Sequence, residues 1–128
     1  MIERRSIHVE GLGHGDLPIP AAARVGPLVA TGGVRGVDRM TGKMPTDLAE
    51  QVRLMFENLL VILQAAGATR DGILKLTIWI RNNDARAAIN REWLAMFPDE
   101  HSRPARHIML YELGGGMLVQ CEALAVAE

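Results

Sequence analysis

The sequence predicts an α+β fold, a six-stranded mixed sheet with two helices on one face. Apolar residues recur at i, i+3, i+4 and i+7 from about Leu48 to Ala66, the signature of an amphipathic helix. Ile73 to Arg81 is rich in β-branched and aromatic residues, which specifies a strand. Around them the order reads strands, helix, strand, helix, strands, all within 128 residues. That length suits one core and is too short for two, so residues 1–128 are read as a single domain.

Arg4 to Val9 reads as a short edge strand, followed by a turn-rich loop from Gly11 to Pro20. Ala22 to Thr31 reads as a hairpin that turns at Gly26-Pro27 and ends at Gly32-Gly33. A loop then runs through Asp38 to Pro45. In the first helix Leu48, Val52, Met55, Phe56, Leu59, Ile62, Leu63 and Ala66 form the apolar stripe. Asp47 and Glu50 supply a capping-box pattern at its start, and Gly67 closes its end. Along Ile73 to Arg81, Leu74, Leu76, Ile78 and Ile80 are expected to face the helices, with Lys75, Thr77, Trp79 and Arg81 opposite. Asn83 or Asp84 is expected to cap a second helix, Ala85 to Phe97, which presents Ile89, Trp93, Met96 and Phe97 on one side. Ala105 to Tyr111 and Met117 to Val126 complete the sheet. The face that carries Thr77 and Trp79 is too apolar to stay wet and is expected to be buried against further subunits.

Composition narrows the function. Lys plus Arg (14) nearly cancels Asp plus Glu (15), and aromatic residues are only 4% of the chain, so nucleic acid is not an expected partner. No apolar stretch approaches a membrane span and no signal peptide is evident, so the expected location is the cytoplasm. The four histidines and Cys121 have no metal-ligand spacing, and nothing calls for a metal or a cofactor. Cys121, between Gln120 and Glu122, is expected to be an inert thiol facing the core or a subunit contact.

One arginine remains. In His101-Ser102-Arg103-Pro104-Ala105-Arg106-His107, the proline starts an extended segment. Arg106 then shares a face with Ile108 and Leu110, while His107 points the other way. A guanidinium beside apolar side chains wants a carboxylate, which its planar fork binds in bidentate fashion. That partner is either internal, with Glu122 the candidate, or a ligand. Gln120 and Glu122 share a strand face, which places an amide and a carboxylate near one cleft.

These residues, with others, carry a family resemblance. Arg24-Val25-Gly26 to Thr31-Gly32-Gly33, Thr41-Gly42-Lys43-Met44-Pro45, Gln51 with Asn58-Leu59, and Ala65-Ala66-Gly67-Ala68 come first. Lys75-Leu76-Thr77-Ile78-Trp79, Asn90 with Trp93 and Phe97-Pro98, Arg103-Pro104-Ala105-Arg106 and Glu122-Ala123-Leu124-Ala125-Val126 follow. In number, order and spacing they resemble the Rid family, the YjgF-type imine deaminases, along essentially the whole chain. The resemblance implies a chorismate-mutase-like fold, a homotrimer, and ligand sites in clefts between subunits. It implies that Arg106 binds the carboxylate of 2-oxo or 2-imino acids, whose enamine and imine forms are hydrolysed to 2-oxo acid and ammonia. Asn90, Gly32 and Gly33 fall on positions that line that cleft.

The departures lie in the water-handling groups. The deaminases' glutamate two residues before Glu122 is here Gln120, which can hold water but cannot act as a general base. The cysteine two residues after the arginine is Ile108, the early-loop aromatic aligns near Ile19, and the usual Ser-Gly-Gln is Gly32-Gly33-Val34. Three readings follow: a deaminase for a different or more apolar imino acid, a non-catalytic small-carboxylate binder, and a protein-interaction role.

Overall fold

In the computed structural model, which describes all 128 residues, the elements follow as β1 (Arg4–Ile7), β2 (Ala22–Val25), β3 (Leu28–Thr31), β4 (Val34–Arg35), α1 (Leu48–Ala65), β5 (Ile73–Ile80), α2 (Ala85–Met96), β6 (Ala105–Leu110) and β7 (Val119–Val126). The strands are ordered β1-β2-β3-β7-β5-β6, and the two-residue β4 pairs with β7 beside that path. Six strands were expected; β4 is the addition. It exists because the chain bulges where β3 ends. Ala30 lies opposite Leu124 and Val34 opposite Cys121, so Thr31, Gly32 and Gly33 face only Glu122 and Ala123. Thr31 steadies the bulge: its Oγ1 accepts the Ala123 N–H at 3.0 Å and donates to the Gly32 carbonyl at 2.9 Å.

All pairings are antiparallel except β5–β6, which is parallel and therefore needs the crossover that α2 provides. Both helices pack on one face, over a buried cluster that includes Phe56, Leu59, Leu63, Leu76, Ile78, Ile89 and Val119.

Helix α1 begins as the sequence suggests, with the Glu50 N–H donating to Asp47 Oδ2 at 3.0 Å. The reciprocal half of the box does not form, because the Glu50 carboxylate pairs with Arg53 one turn on. Its C-terminus is held by Arg24, whose Nη1 donates to the Ala66 carbonyl at 2.7 Å, and Gly67 takes the positive φ of 84° that ends the helix. Two polar residues interrupt the apolar stripe, and both are fully employed. Buried Gln51 donates to the carbonyls of Pro45 (2.7 Å) and Gly116 (3.0 Å) and accepts from the Leu118 N–H (2.9 Å). Buried Asn58 donates to the carbonyls of Arg35 and Val37 at 2.9 and 2.8 Å. Together they fasten the helix to β4 and to the glycine-rich entry of β7. Between them the backbone of Gly36 lies so close that a Cβ there would collide with the Gln51 carbonyl.

Two local expectations fail. Neither Asn83 nor Asp84 caps α2: Asp84 has helical dihedrals and makes no side-chain cap bond. Asn82 Oδ1 accepts the Asp84 N–H at 3.0 Å instead, and Asn83 Oδ1 accepts from Arg86 Nε at 3.0 Å. Leu74 does not face the helices. The β5–β7 register slips between Ile73 and Lys75, so Ile73 is buried in its place and Leu74 turns to the open face, 63% exposed. Leu76, Ile78 and Ile80 do face the helices and are fully buried.

A candidate carboxylate site in two halves

Arg106 lies near the start of β6, the sheet's edge strand. Pro104 precedes it, and the Arg103 side chain donates back to the Phe97 carbonyl at 2.9 Å, which fixes the approach from α2 to the strand. Register places Arg106 beside Leu76 and Ile108 beside Ile78, so both point to the helix face. There the guanidinium carbon of Arg106 sits 4.9 Å from the centroid of Trp93 on α2, a cation–π contact. Trp93 is itself locked edge-on against Phe97 at 4.8 Å. The Nη1 of Arg106 is buried and has no hydrogen-bond partner. Burial chiefly, and the positive charge of Arg86 second, hold the Arg106 pKa below its ordinary value.

The internal ion pair with Glu122 does not exist. Glu122 is opposite Thr77 on β5 and Arg106 opposite Leu76, which puts the two on opposite faces of the sheet and two strands apart. No carboxylate forms a salt bridge with Arg106.

The remaining expected residues fall into two groups. Asn90 is exposed on α2, one turn before Trp93, and belongs with Arg106 and the half-buried Ile108. Gln120 and Glu122 lie on the open face, where with Gly33, Trp79 and Tyr111 they line a concavity of about 400 Å³. Gly33 leaves room for the Gln120 amide, which a Cβ there would displace. Gly32, the neighbouring residue in the bulge, donates its N–H to the Ala21 carbonyl at 2.9 Å. Ile19, 49% exposed, stands two residues before that contact. His107 points to the open face beside Thr77.

Some neighbours have no counterpart in the sequence reading. Tyr111, the chain's only tyrosine, joins the Gln120 concavity just past the end of β6. His14 reaches the other side of the glycine corner, where its Nε2 would be 3.6 Å from a Cβ on Gly32. Arg86 precedes Asn90 by one turn and Trp93 by two, a spacing legible in the sequence once α2 is placed. No cluster of three or more His, Cys, Asp or Glu side chains has the arrangement of a metal site.

The family profile described as Endoribonuclease L-PSP matches residues 19–127. The chain belongs to this L-PSP family, the YjgF or Rid family. Within it, the chain is 32% identical to a RutC family protein of Haemophilus influenzae over 123 residues, 94% of this chain and 95% of the relative. It is 29% identical to the 2-iminobutanoate/2-iminopropanoate deaminase of Escherichia coli over 85% of this chain and 87% of that one. The crystal structure of Escherichia coli TdcF with bound serine superposes with a TM-score of 0.87 at 28% identity, covering 97% of this chain and 99% of that one. The α+β, YjgF-like architecture expected from the sequence is therefore the one observed.

Proposed function

We propose that this Rid-family chain binds small 2-oxo and 2-imino carboxylates through Arg106 and hydrolyses the enamine or imine forms to 2-oxo acid and ammonia. The observation that carries the reading is the Arg106 guanidinium, set over Trp93 with a buried, unpartnered Nη1 and no salt bridge to a carboxylate of its own chain. A buried donor without a partner costs about 1–3 kcal/mol, more when charged, and a ligand carboxylate removes that cost. The deaminase name of one relative and the serine bound to another support a small amino-acid-like ligand.

The two halves are on opposite faces of one sheet, so a single chain does not close the site. In our reading a homotrimer brings Arg106, Asn90 and Ile108 of one copy against Gln120, Glu122, Gly33 and Ile19 of the next. In that cleft Arg106 holds the carboxylate and Gln120 orients a water. The water oxygen bonds to the imine carbon, its proton passes to the nitrogen, and the resulting carbinolamine breaks its C–N bond to give the 2-oxo acid and ammonia. No cofactor takes part. Since glutamine accepts no proton, the substrate nitrogen or bulk water must do so. General-base assistance, typically worth about 10²–10⁴ in rate, is missing, while orientation and carboxylate binding remain.

A second reading rests on the same residue: with Gln120 and Ile108 at the water-handling positions, the chain is a carboxylate-binding trimer without deaminase chemistry. Release of 2-oxo acid from freshly generated enamines, compared for wild type, Arg106→Ala and Gln120→Glu, separates the two. Wild-type acceleration over buffer that Arg106→Ala abolishes supports the deaminase. A silent wild type with an active Gln120→Glu leaves the binder. If thermal shifts with 2-oxo acids do not depend on Arg106, neither reading survives.

A further inference from the structure

Arg86 is a second cation on the Arg106 side of the sheet. It lies in the first turn of α2, where a positive charge opposes the helix dipole and where the N-cap residue Asp84 makes no side-chain bond to it. Arg86, Asn90 and Trp93 follow at i, i+4 and i+7, so they form one stripe of the helix, and Trp93 is the ring on which Arg106 stacks. The Nε of Arg86 donates to Asn83 Oδ1 at 3.0 Å, which ties down the stem and leaves both terminal nitrogens without a protein partner. Neither arginine is in a salt bridge, although the chain as a whole has a net charge of only −1. The two guanidinium groups are therefore free of ion pairs within the chain.

We propose that Arg86 supplies a second anion-binding group beside Arg106 and that the site is matched to 2-oxo or 2-imino acids bearing a second, distal carboxylate. This rests on the carboxylate reading of Arg106 above and adds the substrate class. Arg106, partly buried over Trp93, takes the carboxylate next to the reacting carbon. Arg86, exposed and tethered only at Nε, takes the distal one, and Asn90 between them offers an amide to the chain that links the two. The mutual repulsion of the two guanidinium groups, which contributes to the lowered Arg106 pKa, is relieved by a dianion and only partly by a monoanion.

Calorimetric titration of the full-length protein with 2-oxoglutarate and oxaloacetate, against pyruvate and 2-oxobutanoate, tests this. Wild type is expected to prefer the dicarboxylates, with affinity that falls more steeply as salt is raised. Arg86→Gln keeps a good helix former at an exposed position, and a thermal melt checks its folding. It should weaken dicarboxylate binding by about tenfold, the effect of one charged hydrogen bond, and leave the monocarboxylates within about twofold. No dicarboxylate preference in wild type, or an equal change for both classes in Arg86→Gln, overturns the proposal. If monocarboxylates still bind in an Arg106-dependent way in that case, the underlying reading stands. Binding of all four that survives Arg106→Ala, or binding of none, overturns both.

Discussion

At the scale of single residues, what distinguishes Arg106 from the other arginines is what it lacks. Arg24 and Arg103 donate to backbone carbonyls and hold elements together, whereas Arg53 sits between two exposed glutamates. Arg106 alone has a buried nitrogen without a partner. Truncation to Ala is expected to weaken 2-oxo acid binding by about 10- to 100-fold, the range for a charge-assisted hydrogen bond, measured by calorimetry. Arg106→Lys should recover little of it, because an ammonium lacks the planar fork that binds a carboxylate in bidentate fashion. Gln51 shows the converse case, a polar residue whose every bond is internal. Gln51→Leu strands the carbonyls of Pro45 and Gly116 and the N–H of Leu118. Urea unfolding should show a loss of about 1–3 kcal/mol for each group that water cannot reach.

At the scale of elements, α1 is legible in the sequence because its period, its cap and its terminal glycine agree. The Asp47 cap is worth about 1 kcal/mol, the loss expected for Asp47→Ala in thermal unfolding. What the sequence does not show is the phase of one strand against the next. Alternation correctly puts Arg106 with Ile108, and Gln120 with Glu122, but only the pairings Leu76–Arg106 and Thr77–Glu122 reveal that the two sets face opposite ways. Leu74 fails for a related reason: a bulge inserts one residue and reverses the parity before it, while the letters around Leu74 still alternate. At Cys121 parity is enough. The thiol is fully buried between Ile78 and Val34, and desolvation, with Glu122 adding to it, pushes its pKa well above the ordinary value. With the folded pKa raised, the thiol's contribution is intact below the unfolded value and is lost as pH rises past it. Stability should therefore decline above about pH 9, at up to roughly 1.4 kcal/mol per pH unit from this group. Cys121→Ala should flatten that alkaline limb in pH-dependent denaturation curves.

At the scale of the molecule, the open face of the sheet supports the proposal that the site is completed between copies. Leu28, Leu74, Leu124 and Val126 are each at least 45% exposed, and with Ala23, Val25 and Ala30 they line an all-apolar concavity of about 410 Å³. Leu74 enlarges this patch because the bulge turns it outward. Contiguous apolar surface of this kind marks an association site, and burying each leucine is worth about 1.5–3 kcal/mol. The same face carries Gln120, Glu122 and Trp79, and in the proposed assembly a copy docked on this face presents its Arg106 to them. Assembly and binding should then fail together. Leu124→Asp puts a charge in the middle of the patch at a position already exposed in the isolated chain, so the protomer itself should fold. In sedimentation it should run as a monomer, whereas wild type should run as the proposed trimer. It should also lose 2-oxo acid binding, although Arg106, Asn90 and Gln120 are untouched. A folded monomer that still bound in an Arg106-dependent way would show that one sheet face is enough, and that Gln120 on the other face has no part in the site.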